Sequence, residues 1–257
     1  MAAMKVIALQ SGGNGNCIFV ESKGVRLLFD AGINGKQAQS RLAAHGRDIA
    51  DVNALVISHD HRDHCCCMGI YQRKFGLPIH VTKGTLTIAS KKDRLGPLND
   101  VRYFTSGSTL EFGRVRVETI RTPHDAVDGV AFVVDDGTKR LGILTDLGHP
   151  FERLAAVMKT LDAVVLESNY DPEMLTNGPY WESLKQRIRG NGGHLSNIES
   201  AELLSGVSTR PKWACLANLS EENNDSDLAV DTHHRVLGKR LPLFVASRYD
   251  ATDVLDV

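Results

Sequence analysis

Three imidazoles and two carboxylates fall within six consecutive residues, His59-Asp60-His61-Arg62-Asp63-His64, directly after Asn53 to Ser58, a run that reads as a short buried strand. A fold that accepts this segment must end a strand where polar side chains converge. With 10 His and 20 Asp in 257 residues, the pattern His-x-His-x-Asp-His arises by chance in on the order of one chain in a thousand of this composition. Imidazole and carboxylate are the donors that borderline transition metals take, so the segment reads as part of a metal site. In an extended turn His59 and His61 point to the same side and serve one ion. Asp63 and His64, where helical character begins, then serve a neighbouring one. The alternative is a run of solvated polar residues in a loop.

An open dinuclear site needs more ligands than six residues offer, so further His and Asp are expected at other strand ends. His124 follows the alternating stretch Arg114 to Arg121, and Asp146 follows Leu141 to Leu144. Each stands where a strand releases its side chain into a loop, a common place for function. Taken alone, His124 reads as a surface loop residue and Asp146 as a helix cap.

The rest of the chain alternates between strands and helices. Val6 to Leu9, Cys17 to Glu21 and Val25 to Phe29 read as strands, followed by a helix near Gln37 to His45 and the strand ending at Ile57. A helix from about Asp63 to Phe75, a strand at Pro78 to Val81 and a hairpin-rich stretch from Val101 to Thr145 come next. Helices are expected near Phe151 to Lys159, Tyr180 to Arg189, Asn197 to Leu204 and Ser226 to Leu237, with strands at Ala163 to Leu166 and Trp213 to Ala217. Two strand-rich halves that each finish in helices predict an α/β chain with two packed sheets and helices outside. No composition shift marks a linker, so residues 1–257 are expected to form a single domain. Ser11 to Asn16 superficially resembles a dinucleotide loop, but a strand follows it instead of a helix, which makes it a hairpin loop.

Composition narrows the partners. A net charge of −1 gives no global basic field for nucleic acid. Polyanion binding would rest on local patches, Lys91, Lys92 and Arg94 or Lys185, Arg187 and Arg189, for which a solvated surface is the favoured reading. No apolar run has the length of a signal-peptide core or a membrane span, so a cytoplasmic protein without membrane contact is expected. Five cysteines, three of them consecutive at Cys65, Cys66 and Cys67, do not make a disulfide framework and suit a reducing compartment. Buried helix packing is favoured for these three over metal binding or oxidation.

A set of motifs spread along nearly the whole chain resembles the metallo-β-lactamase fold superfamily, and more closely its YycJ/WalJ-like branch. They are Ser11 to Asn16, Phe29-Asp30-Ala31-Gly32, the histidine hexapeptide, Pro123-His124-Asp125-Ala126, Thr145-Asp146-Leu147-Gly148, Leu166-Glu167-Ser168-Asn169, Gly193-His194-Leu195-Ser196-Asn197 and Leu219 to Asn224. The hexapeptide specifies the superfamily and the later motifs the branch. The resemblance implies a four-layer αββα sandwich with two divalent metal ions, zinc or manganese, at one edge of the paired sheets. His59, His61 and His124 would hold the first, Asp63 and His64 the second, and Asp146 would bridge them. Asp30 would support the histidine loop from beneath, or serve only as a turn residue before Gly32.

Two departures stand out. Family members carry a metal-binding His two residues before the Ser of the late motif, whereas here that position is Asn218. Its amide oxygen can still ligate, which tilts a weak second site toward harder ions such as manganese or magnesium. His149 is a substitute ligand or, the favoured reading, a surface residue. The second departure is Cys67, at a position that is usually Gly.

Paired ions lower the pKa of a bridging water and yield hydroxide near neutral pH, which suits hydrolysis of a phosphodiester, lactam, thioester or lactone. Glu167 and His194 resemble residues of tRNA-maturing endonucleases of the superfamily, where the His contacts the scissile phosphate or protonates the leaving oxygen with help from the Glu. As an N-terminal residue preceding a Ser196-capped helix, His194 also has a purely structural reading. Asp63, Glu167 and His194 are therefore the candidate catalytic residues. The expected function is a metal-dependent phosphodiesterase or nuclease on nucleic acid, DNA more than RNA, processing single strands or acting as a 5'-3' exonuclease. The rivals are a glyoxalase-like thioesterase or lactonase, and a non-catalytic regulator that keeps the fold, which Asn218 favours.

Overall fold

Successive side chains of a strand face opposite ways, and in this protein they enter different cores. The computed structural model describes residues 3–207 and 211–257. In β1 (Lys5–Gln10), Val6 and Ala8 join one apolar cluster while Ile7 and Leu9 join another. The same split recurs in β2 (Cys17–Ser22), β3 (Val25–Phe29) and β4 (Ala54–Val56), and β5 (Ile79–Thr82) and β6 (Val101–Phe104) continue the sheet. A second sheet holds β7 (Thr109–Phe112), β8 (Val115–Arg121), β9 (Val130–Asp135), β10 (Arg140–Leu144), β11 (Ala163–Glu167), β12 (Ala214–Ala217) and β13 (Leu243–Val245) in sequential order. The chain then returns as β14 (Leu255–Asp256) beside β1, giving two seven-stranded sheets.

The shared cluster lies between the sheets, where Phe29 and Phe132 meet with ring centroids 5.0 Å apart. Truncating either ring to Ala would cost about 3–5 kcal/mol, because the cavity adds to the lost burial. Against the outer face of the first sheet pack α1 (Gly35–Ala44), α2 (Arg62–Cys65) and α3 (Met68–Phe75), through Leu42, Cys65, Met68 and Tyr71, followed along the chain by α4 (Lys83–Lys92) with its buried Ala89. The second sheet is covered by α5 (Glu152–Met158) and, after the short α6 (Pro172–Asn177) and α7 (Glu182–Arg189), by α8 (Asn197–Ser205) and α9 (Ser226–Leu237). The four layers are therefore helix, sheet, sheet, helix, as expected.

The differences from expectation have local causes. The helix read as running from Asp63 to Phe75 is two helices, because the Cys67 N–H leaves the helical ladder to donate to the Ala31 carbonyl at 2.9 Å. Val101–Phe104 is no hairpin strand; it pairs parallel with β5 and closes the first sheet, and the antiparallel meander starts only at β7. Helices α4 and α6 and strands β13 and β14 had no counterpart in the sequence reading.

Strands β3 to β6 are mutually parallel, as are β10 to β13. In parallel sheets the carboxyl ends collect functional groups, since every connection leaving a strand there starts from the same edge. Asp30 follows β3, His59 lies three residues beyond β4, Asp146 two beyond β10, and Asn218 directly follows β12. No helix among the described residues is long and apolar enough to cross a membrane.

Candidate metal centre and cleft

Backbone packing fixes the histidine loop before any side chain acts. The Asn16 N–H donates to the Asp63 carbonyl at 2.7 Å and the Ala31 N–H to the His64 carbonyl at 2.7 Å. Gly32 sits so close that a Cβ there would overlap the Asp63 carbonyl oxygen, so a bare backbone is required at this crossing. Asp30, Asp146 and Asn218 all have left-handed backbones, with φ of 64°, 56° and 55°. Outliers of this kind cluster at functional sites, and Asp and Asn tolerate them best.

Ligand-type atoms of His59, His61 and His124 lie within 4.8 Å of one another, as do those of His59, His64 and Asp146, and those of His124, Asp146 and His194. The structure thus brings His59, His61, His64, His124, Asp146 and His194 to one place. Asp63 reaches its edge, with Oδ2 3.5 Å from His64 Nε2. Hydrogen bonds orient the rings. His64 Nδ1 donates to Asp30 Oδ2 at 2.7 Å, and that carboxylate also accepts from the Ser58 N–H and hydroxyl at 2.7 and 2.8 Å. His124 Nδ1 donates to the Gly193 carbonyl at 2.8 Å, so its Nε2 faces the cluster, 3.2 Å from His61 Nδ1.

The electrostatics separate the rings. Burial, joined by neighbouring imidazoles, holds His59 well below its ordinary pKa and lowers His61, so both are neutral donors. Burial would also lower His64, but the carboxylates of Asp146, Asp30 and Asp63 outweigh it and hold the ring well above its usual value. For His194 burial acts downward as well, and Glu167 with Asp146 overcomes it, pushing the ring up to about 9.

Glu167 is fully buried and accepts at Oε1 from His194 Nδ1 at 2.8 Å and at Oε2 from the Leu147 N–H at 3.0 Å. Asn218 differs from the expected oxygen ligand. Its Nδ2 donates to Asp146 Oδ1 and to Glu167 Oε1, both at 3.0 Å, because two neighbouring carboxylates call for a donor. His149 stays out of the cluster and holds the Asn191 carbonyl at 2.7 Å. Of the three consecutive cysteines only Cys65 is buried; Cys66 and Cys67 are half-buried, so helix packing accounts for one thiol of the three.

A cleft of about 370 Å³ opens over His194 and Asn218, lined also by Asp63, Tyr180, Arg187 and Arg248. The basic group near α7 is thus no uniform solvated surface. Lys185 is buried and donates to the Thr176 carbonyl at 2.7 Å, while Arg187 faces the cleft and binds Asp125 at 2.5 Å. Sequence reasoning also missed Asn16, whose Nδ2 lies 2.9 Å from His64 Nε2 and 3.3 Å from Asp63 Oδ2.

Residues 11–191 match the family described as the metallo-beta-lactamase superfamily. The chain is 36% identical over 230 residues to the exodeoxyribonuclease WalJ of Streptococcus pneumoniae serotype 2 (strain D39 / NCTC 7466), covering 88% of this chain and 85% of that one. It belongs to the metallo-β-lactamase superfamily. The exodeoxyribonuclease YycJ of Bacillus anthracis is 32% identical over 233 residues, covering 90% of this chain and 88% of its own. The crystal structure of the metallo-β-lactamase fold protein YhfI from Bacillus subtilis superposes with a TM-score of 0.78 at 17% identity, over 100% of both chains. In this metallo-β-lactamase chain six buried side-chain atoms are left without a hydrogen-bond partner among the described residues, and two of them, His59 Nε2 and Asp146 Oδ2, lie in one place. Buried polar atoms are rarely orphaned. Both belong to the cluster, so a divalent cation, which takes a lone pair and needs no proton, fits the donor set.

Proposed function

We propose that the protein is a metal-dependent nuclease acting on DNA, with His194 as proton donor or phosphate contact. The observation that carries this reading is the His194–Glu167 pair, held at 2.8 Å on the rim of the His/Asp cluster inside the cleft. The relatives named exodeoxyribonucleases, at 32% and 36% identity, support it.

His59, His61 and His124 would hold one divalent ion, zinc or manganese, and His64, Asp146 and Asp63 a second. Such ions supply a nucleophile from water at neutral pH and offset charge on the phosphate. The chain's own residues do the rest. Asp30 and the Gly193 carbonyl fix which nitrogen of His64 and His124 faces the site. Glu167 occupies His194 Nδ1, which leaves Nε2 to donate to the departing oxygen. A phosphodiester needs that donor because its leaving group is an alkoxide, and the Glu167 carboxylate on Nδ1 favours the protonated ring. Asn218 holds Asp146 and Glu167 in fixed register and so couples the metal-facing carboxylate to the proton donor.

The test compares labelled single-stranded DNA, duplex DNA and RNA, each with manganese and with zinc, alongside bis-p-nitrophenyl phosphate, a thioester and a lactone. Cleavage of single-stranded DNA that a chelator abolishes and a divalent ion restores is the expected result. Turnover confined to the thioester or the lactone would overturn the proposal, and inertness toward every substrate would favour the non-catalytic reading that Asn218 raised.

A further inference from the structure

Cutting a single strand requires that unpaired bases be held somewhere, and one wall of the cleft has the composition for it. Tyr180, Leu184, Arg187 and Ile188 all line the cleft. Their spacing of four, three and one places them on one face of α7 and the residues leading into it. Tyr180, Leu184 and Ile188 are half-buried, so this face is an apolar strip left partly open. Trp181, at the start of the same helix, is 82% exposed, the most exposed large apolar side chain among the described residues. Folding has left Trp181 open and has covered Tyr180 only in part.

The strip runs into the chemistry. At the end of α7 the His194 N–H donates to the Ile188 carbonyl at 3.0 Å. Arg187 binds Asp125, whose Oδ1 lies 3.6 Å from His61 Nε2 and 3.5 Å from His124 Nε2. Another part of the lining carries Arg248, with Nη1 on the Leu219 carbonyl at 3.2 Å and Nη2 on Glu221 at 2.8 Å, while its buried Nε has no hydrogen-bond partner among the described residues. Tyr249 follows, 59% exposed. Aromatic rings interleaved with guanidinium groups make a sequence-tolerant surface for single strands, since every base has a π-face and every linkage a phosphate.

We propose that this wall is a nucleobase platform: Tyr180 and Trp181 stack the unpaired bases of a single-stranded substrate, and Arg187 and Arg248 take its phosphates. The assignment rests on the nuclease reading above and extends it to the base. Bases within a duplex are already stacked on their neighbours, so the platform selects frayed ends and single strands.

Two measurements test it. The protein contains two tryptophans, Trp181 and the buried Trp213, so quenching of the solvent-exposed emission reports Trp181. Oligothymidylate added without divalent ions should quench it, and an abasic deoxyribose-phosphate oligomer of equal length should not. In turnover, the wild type should prefer the base-bearing strand over the abasic one by about ten-fold or more in kcat/KM, the size expected for a base–aromatic stack. In Tyr180→Ala and Trp181→Ala that preference should shrink toward one, and Trp181→Phe should keep most of it. Equal quenching by both oligomers, or no quenching, overturns the platform, as does an unchanged preference in both alanine variants. Quenching by oligothymidylate without cleavage of any nucleic acid sinks the nuclease reading and leaves the platform standing.

Discussion

The Nδ1 of His194 lies 2.8 Å from Oε1 of Glu167, a carboxylate with no solvent exposure. The pair fixes both the orientation and the charge of the imidazole, and Glu167 is in turn held by Asn218 and the Leu147 N–H. A proton donor of this kind is worth about 10²–10⁴-fold in rate.

Replacing His194 with Ala should therefore lower phosphodiester cleavage by about that factor, roughly 10²–10⁴, while elemental analysis finds the same metal content. Full cleavage by the variant would remove His194 from the mechanism. Glu167→Gln should lower cleavage as well and bring the alkaline fall of the pH profile to lower pH, because the ring loses the charge that keeps it protonated.

His59→Ala should lose at least one divalent ion per chain. The orphaned Nε2 of His59 belongs to two of the three ligand groupings, so its removal touches both halves of the cluster. Thermal midpoints check the same point: a chelator should lower the midpoint of the metal-loaded wild type by more than that of the variant, since only a bound ion stabilises by mass action.

Asn218→His should raise metal retention. The position directly follows β12, with φ 55°, a region where His is enriched beside Asn and Asp. An imidazole there exchanges an amide donor for a nitrogen lone pair beside Asp146. After dialysis against a chelator the variant should keep more metal per chain than the wild type. Equal retention would show that this side chain does not face the cations.

Much of this was legible in the sequence, for a chemical reason. His59, His61, His64, His124 and Asp146 are rare residue types at strand ends, and their convergence follows once the strands are read. Asp30 was legible only as one of two readings, and the hydrogen bonds from Ser58 and His64 supply what spacing could not. Helix α4 was missed because Lys-Gly-Thr-Leu-Thr-Ile mixes glycine and β-branched residues; Thr82, accepting from the Thr85 N–H at 3.1 Å, starts it. The start of α6 was readable from Asp171 followed by Pro172 and went unread. Strands β13 and β14, of three and two residues, are too short for a period to register. Tyr180 and Arg248 carry no local signal, because their place in the cleft is made wholly by tertiary packing.

Asp136 gives a pH dependence remote from the cleft. Its carboxylate accepts from the Ser22 hydroxyl at 2.6 Å, which ties the end of β2 in one sheet to the turn after β9 in the other, and from the Thr138 and Lys139 N–H groups at 2.8 and 2.9 Å. Burial acts to raise its pKa, but these donors prevail and bring it down to about 2. A carboxyl more acidic in the folded than in the unfolded chain stabilises the fold fully above the unfolded value near 4, and that contribution is lost as pH falls toward about 2. Asp136→Asn should thus be less stable than the wild type at pH 7, with the gap closing across that window in denaturant titrations. A gap that does not change with pH would refute the linkage.

Thiol labelling should divide the five cysteines. Burial pushes Cys17 and Cys215 up to about 12 and raises Cys65, so these three are inert in the folded chain. Cys66 and Cys67 are half-buried, with sulfurs 3.5 Å apart. Native labelling should modify at most these two, and mass spectrometry showing label on Cys17, Cys65 or Cys215 before unfolding would contradict the packing.

The left-handed backbones of Asp30, Asp146 and Asn218 carry a cost that the sheets themselves do not require. Glycine adopts the same torsions freely. In these three residues, however, the side chains hold Ser58, His64 and Glu167 in place, so glycine would relieve the torsions and strip the site of what orders it, the mark of a scaffold whose weakest joints lie where its work is done.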